Sequence, residues 1–204
     1  MLDKYLRRFR AGRPESNEVS EEHFRRLFAL SSELLCSGRN VAIMGCGLVS
    51  MGHVLGIMGH HTSALEFSEG EQSLLPTAGI VDAVFQVHGY RIDLQSESLD
   101  VVVGLYTFLR DLSRPLLLRE VARVLRPGSQ LMLVEPSSTK KRRQQSLQSR
   151  HGLPVVSVDA LTEHALGYYS KDLFDWKMPY HFPFEGGWTV YLGDRRWELV
   201  TEAL

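Results

Sequence analysis

The chain has few cysteines and almost no net charge. Its 204 residues include only two cysteines, Cys36 and Cys46, which stand apart from one another and from any metal-ligand spacing. That excludes a disulfide-stapled secreted module and points to a reduced, cytoplasmic setting. Lys and Arg number 23 against 24 Asp and Glu, so the strong basic excess of a dedicated nucleic-acid binder is missing. No apolar run approaches the roughly 20 residues that span a bilayer. Collagen-like and disordered compositions are excluded as well. What remains is a chain that is 44% hydrophobic, long enough for one domain with a sizeable core.

Order along the chain supplies the next constraint. Within residues 1–19, Met1 to Arg13 mix Leu2, Tyr5, Leu6 and Phe9 with Lys4, Arg7, Arg8, Arg10 and Arg13, the pattern of a basic amphipathic helix. We read this stretch as a helical or lid segment that docks on a domain spanning residues 20–204, rather than as a targeting signal. Ser20 can cap a helix whose apolar stripe runs through Phe24, Leu27, Phe28, Leu34 and Leu35. Strands are predicted at Asn40–Met44, Ser63–Phe67, Ala83–Val87, Asp100–Leu105 and Gln130–Glu135. Helices are predicted at Val49–Met58, Glu71–Ala78 and Pro115–Leu125, the last stopped by Arg126-Pro127-Gly128. Such alternation predicts an α/β fold with a mostly parallel sheet, helices covering both faces.

The C-terminal third breaks the alternation. Ser137 to Arg150 is polar and carries Lys140-Lys141-Arg142-Arg143, which reads as a solvated loop because no aromatic residues interleave with the charges. A short helix is predicted at Asp159–Leu166. Phe174–Phe184 and Trp188–Leu192 form a predicted hairpin across Gly186-Gly187. Pro179 and Pro183 make the first of these an edge or broken strand.

Open α/β sheets bind ligands beyond the carboxyl ends of their strands. Gly45-Cys46-Gly47 follows the first strand, where bare backbone admits a ligand and the next helix offers free N–H groups. Glu66 ends the second strand about 19 residues after Gly47, close to the spacing at which an acid accepts the two hydroxyls of a ribose. These residues point to a nucleotide or nucleoside cofactor.

At Asn40–Gly47, Ala64–Ser68 and above all Leu99–Pro136 the chain resembles the class I S-adenosylmethionine-dependent methyltransferases that act on small molecules. The long match is Leu99-Asp-Val-Val-Val-Gly-Leu-Tyr106, then Leu118-Arg-Glu-Val-Ala-Arg-Val-Leu-Arg-Pro-Gly-Ser-Gln-Leu-Met-Leu-Val-Glu-Pro136. The resemblance implies a Rossmann-like, seven-stranded sheet with an antiparallel C-terminal hairpin, and S-adenosyl-L-methionine as cofactor. It places Gly45, Cys46 and Gly47 beside the methionine part of that cofactor, Glu66 on the ribose hydroxyls and Phe67 against the adenine. His88 and Gly89 fall at the adenine edge, and Leu105 and Tyr106 border cofactor and substrate.

The sequence departs from the family pattern at named positions. Ile43 stands where an acid usually precedes the glycine turn, Val49 where a third glycine is usual, and His88 where an acid commonly accepts from the adenine amino group. Leu109-Arg110 replaces a frequent His-His pair. These departures favour an alternative, a catalytically inactive methyltransferase-like partner subunit or binding module. A third reading is an NAD-dependent oxidoreductase, since Gly45-Cys-Gly-Leu-Val-Ser50 approximates the dinucleotide fingerprint. Methyl transfer needs alignment more than an obligatory acid or base. If a base is used, His53, His60, His61, Tyr106 and His181 are the available types, and no catalytic residue is singled out. Expected partners are a small-molecule substrate and a second copy or a different protein subunit; nucleic acid is disfavoured and no metal site is expected.

Overall fold

Val41, Ile43, Val101 and Val103 project into one apolar layer, while Ala42, Met44 and Val102 project into another. All are sealed from solvent. Successive side chains on a strand point to opposite faces, so burial of both sets requires a sheet covered on both sides, the condition under which parallel strands occur.

The computed structural model describes residues 25–29, 31, 39–45, 48–66, 81–105, 115–136, 166, 170–177, 180–182 and 188–197. In chain order the elements are β1 (Asn40–Gly45), α1 (Leu48–Met58), β2 (His61–Glu66), β3 (Ala83–His88), β4 (Arg91–Ile92), β5 (Leu99–Leu105), α2 (Pro115–Val124), β6 (Leu125–Pro136), β7 (Phe174–Trp176), β8 (Tyr180–Phe182) and β9 (Trp188–Arg195). They form one sheet in the order β4-β3-β2-β1-β5-β6-β9-β7, with β8 also paired to β9. β1, β2, β3, β5 and β6 run parallel. β4 and the C-terminal strands run antiparallel to their neighbours.

The expected seven strands are present. β7 and β8 lie along the same edge of β9, opposite the edge that β6 occupies. Trp176 faces Gly193 and Tyr180 faces Val190, so the outer edge holds one residue more than β9 over this interval. They are two pieces of one broken strand, and the break contains Pro179, which has no N–H for a ladder. The addition to the expected set is β4, only two residues long, which folds back on β3. Gly89, at φ 63°, opens the turn between them. That sign at the first turn position, followed by an ordinary φ at Tyr90, suits a tight two-residue hairpin.

α1 packs its Met51, Val54 and Leu55 over Ile43, Ala64 and Val103 on one face of the sheet, together with Leu27 and Phe28 from the helical residues 25–29. α2 covers the other face with Leu117, Leu118, Val121 and Ala122, joined by Leu166 and Phe174. Its 3.6-residue periodicity puts Leu116, Arg119 and Arg123 outside this apolar stripe. After α2 the ladder between β5 and β6 shifts at Leu99/Val101, and regular pairing resumes at Val101↔Gln130. The shifted stretch holds Arg126-Pro127-Gly128, the predicted helix stop.

The amino ends of the strands are tied by carboxylates. Asp100 accepts from the Asn40 N–H at 2.8 Å and from Arg126, and Asp82 accepts from the Thr62 N–H at 2.7 Å. The expected N-terminal segment 1–19, the helix at Glu71–Ala78, the run Lys140–Arg143 and all but the last residue of the helix at Asp159–Leu166 lie outside the described residues.

Candidate functional site at the carboxyl edge of the sheet

The chain leaves β1 toward β2 on one side, while β5 flanks β1 on the other. The strand order therefore reverses between β1 and β5, and open α/β sheets bind ligands beyond the carboxyl ends of the strands at such a reversal. Gly45 ends β1 at this point, paired with Leu105 of β5, which pairs in turn with Val134 of β6. Gly45 has φ 95°, a backbone state that a residue with a Cβ adopts only under strain. The first glycine of the turn is thus a geometric requirement and not a matter of composition.

The register of β1 with β2 matches Met44 to Leu65, so Glu66 stands one residue on, level with Gly45 and one strand spacing of about 5 Å away. Glu66 is half-buried. β3 aligns Gln86 with Glu66, which puts His88 and Gly89 just beyond, exposed at the tip of the β3–β4 hairpin. Gly45, Glu66, His88, Gly89 and Leu105 therefore share one edge of the sheet. Cys46, Gly47, Phe67 and Tyr106 lie outside the described residues. Ile43, at the position where the family pattern has an acid, is fully buried in the apolar layer beneath α1.

The histidines separate by position. His60 and His61 stand at the amino end of β2, roughly 15–20 Å along the strand from Glu66, so neither can serve as a base at the carboxyl edge. His53 lies in the middle of α1, and burial pushes its pKa below the ordinary value. His181, on β8, pairs with Thr189 near the carboxyl end of β6. It sits at the same end of the sheet but several strands away from Gly45.

His60 has a different consequence. It is 5% exposed, and neither ring nitrogen has a hydrogen-bond partner among the described residues. Burial, reinforced by the positive charge of Arg39, pushes its pKa below 6.5. The unfolded chain takes up a proton near pH 6.5 that the folded chain refuses, so stability is intact above that value and falls as pH drops below it. His60→Leu is expected to flatten the decline in urea midpoint as pH falls below 6.5. An unchanged slope would show that His60 does not govern the acid limb.

One pair that bears on the site was not singled out in the sequence. Arg123 of α2 donates from Nη2 to the Ile92 carbonyl (2.9 Å) and from Nη1 to the Leu94 carbonyl (2.9 Å) and Ser96 Oγ (3.1 Å). Its Nε and Nη2 reach both oxygens of Glu120, at 2.9 and 2.6 Å. Glu120 in turn accepts from the Ile92 N–H at 3.0 Å. The ion pair holds the Glu120 carboxyl below its ordinary pKa, chiefly through the Arg123 hydrogen bond, and raises that of Arg123. Glu120 and Arg123 sit inside the quoted match Leu118–Pro136, but an acid and a base three residues apart on a helix read as an ordinary surface pair. Their partners, some 30 residues earlier, carry no local signal.

Solved structures provide the comparison. A S-adenosylmethionine-dependent methyltransferase from Methanosarcina mazei superposes with a TM-score of 0.61 at 17% identity, covering 83% of this chain and 98% of its own. A S-adenosylmethionine-dependent methyltransferase from Aquifex aeolicus gives 0.61 at 16%, covering 93% and 97%. The chain has the class I methyltransferase fold. A further chain with this fold comes from the complex of a Haloferax volcanii methyltransferase activator with a methyltransferase, at TM-score 0.60 and 13% identity, covering 84% and 88%. No protein-family model matches the sequence, and no curated protein matches it. Among the described residues no helix is long and apolar enough to cross a membrane, and no cluster of His, Cys, Asp and Glu has the grouping of a metal site.

Proposed function

We propose that the protein binds S-adenosyl-L-methionine and transfers its methyl group to a small molecule. The observation that carries this reading is the placement of Glu66 level with Gly45 at the strand-order reversal of a methyltransferase fold. The residues fit the nucleoside half of the cofactor. A half-buried carboxylate at the end of β2 can accept from both ribose hydroxyls, and Gly45 lets the ligand approach the backbone. His88 can accept from the adenine amino group through an unprotonated ring nitrogen, and Gly89 adds a backbone N–H beside it. Leu105 borders the reacting end. The cofactor supplies an activated methyl on a sulfonium. The chain's contribution is to align it and exclude water.

A second reading is favoured by one observation. Ile43 occupies the acid position with a fully buried aliphatic side chain, as expected of a methyltransferase-like subunit that serves a partner protein without its own reaction. Calorimetric titration separates the readings. Binding of S-adenosylmethionine and S-adenosylhomocysteine at micromolar to millimolar concentration supports the enzyme. Absence of both transfers support to the subunit reading. NAD in the same titration tests the oxidoreductase alternative, and saturable NAD binding without S-adenosylhomocysteine binding would establish it.

A further inference from the structure

The hairpin that carries His88 and Gly89 is held along β3 by β2, and on the β4 side by the packing of Ile92 and by α2. β4 is two residues long and, among the described residues, pairs with β3 alone at the edge of the sheet. The pair His88↔Arg91 flanks the turn, Val87↔Ile92 follows, and Asp93 donates to the Gln86 carbonyl at the next step. In the alternating antiparallel pattern, Ile92 is therefore a non-bonded position whose N–H and C=O point away from β3. Ile92 is 1% exposed, so water cannot satisfy them; the carbonyl accepts from the Leu94 N–H at 2.8 Å, and no backbone acceptor among the described residues takes the N–H.

Side chains of α2 take the place of a further strand. Glu120 receives the Ile92 N–H and Arg123 donates to the Ile92 carbonyl. Every N–H of the Arg123 guanidinium is engaged: Nε on Glu120, Nη1 on Leu94 and Ser96, Nη2 on Ile92 and Glu120. The planar fork of arginine fits this set, and the three rotatable donors of lysine cannot reproduce it. The clamp grips the hairpin at the Val87↔Ile92 pair, one step below His88↔Arg91, so only four residues lie beyond it. A shift of Ile92 is then carried directly to the tip.

We infer that Glu120 and Arg123 are positioning residues for recognition of the cofactor's base, acting through the clamped backbone of Ile92 on the His88–Gly89 tip. This rests on the proposed binding of an adenosine cofactor at the carboxyl edge, and it adds a determinant on the far side of the hairpin, in α2. The tip offers a backbone N–H, a fixed donor. It suits N1 of adenine, which accepts, and opposes N1 of hypoxanthine, which carries a hydrogen.

The test is calorimetric titration of the full chain and its Arg123→Lys and Glu120→Gln variants with S-adenosylhomocysteine and its 6-oxo counterpart, S-inosylhomocysteine. The wild type is expected to prefer the adenine ligand by about tenfold or more, on the order of one lost hydrogen bond. In Arg123→Lys, S-adenosylhomocysteine should weaken by roughly tenfold and S-inosylhomocysteine by less than about twofold, so that the preference collapses. Glu66→Ala, acting on the ribose, should weaken both alike and keep the ratio. Equal weakening of both ligands in the clamp variants, or no weakening, would make the clamp merely structural and overturn the inference. A wild type that binds both equally also overturns it, because the tip then reads no base. Failure of the wild type to bind either ligand removes the proposed function itself, a distinct outcome. If Arg123→Lys does not fold, Glu120→Gln decides: its amide turns a donor toward the Arg123 Nε–H or the Ile92 N–H in place of one carboxylate oxygen, which breaks part of the clamp, and the same selective loss of S-adenosylhomocysteine is expected.

Discussion

Glu66→Ala is expected to weaken S-adenosylhomocysteine binding by roughly a hundredfold while leaving the fold nearly as stable as before. Hydrogen bonds to a charged group contribute about 1.5–3 kcal/mol each, and loss of two at the lower end is about 3 kcal/mol, or two decades in Kd. The loss is concentrated because Glu66 stands at the end of β2 and not within the core. Its neighbours Ala64 and Leu65 fill the two apolar layers, whereas Glu66 is half-buried at the edge. Truncation there should lower the melting temperature by no more than a few degrees, the usual cost of a substitution outside the packed core. Glu66→Gln isolates the charge, since it preserves size and one acceptor, and should fall between the two. Titration calorimetry beside thermal melting reads both quantities. Affinity unchanged in Glu66→Ala would remove the ribose assignment, whatever became of stability.

Gly45→Val is expected to cost both stability and ligand binding. Gly45 combines φ 95° with pairing to Leu105 across the switch point, so its conformation is imposed by strands on either side and cannot relax freely. A β-branched residue at positive φ is a genuine outlier, and strain of this kind costs about 1–3 kcal/mol. For a chain of this size that corresponds to a fall of roughly 2–12 °C in melting temperature. If the backbone yields instead, the end of β1 moves away from Leu105, and the close backbone approach proposed for the nucleoside is lost. Gly45→Ala, with no branch, should show a smaller fall in the same direction. A valine variant with wild-type melting temperature and affinity would mean that the turn adopts another conformation in solution.

Much of this architecture was legible from local order because its signals are local. Asn40–Gly45 and Leu99–Leu105 are short apolar runs rich in β-branched residues and bounded by turn residues, and only a doubly covered parallel sheet accommodates such runs. Gly45 and Glu66 were legible for the same reason: each ends a strand, and strand ends on one edge of a parallel sheet are where ligands sit. β4 was missed because two residues give no periodicity, and the two acceptor carbonyls that Arg123 grips leave no mark on side-chain patterns. The histidines illustrate the complementary failure. Composition offered His60 and His61 as base types, but a strand has two ends, and β2 puts them at the one away from Gly45.

By itself the sequence determined the alternation of strands and helices, the break at Pro179 and the glycine and acid that mark the candidate cofactor edge. Each depends on residues within a few positions of one another. Only the tertiary structure decided the strand order, the burial of His60 without a hydrogen-bond partner among the described residues, and the grip of Glu120 and Arg123 on a hairpin some 30 residues away. These depend on register between distant strands and on which backbone groups turn away from a ladder. No local pattern carries that information, because it comes into being when the chain closes on itself.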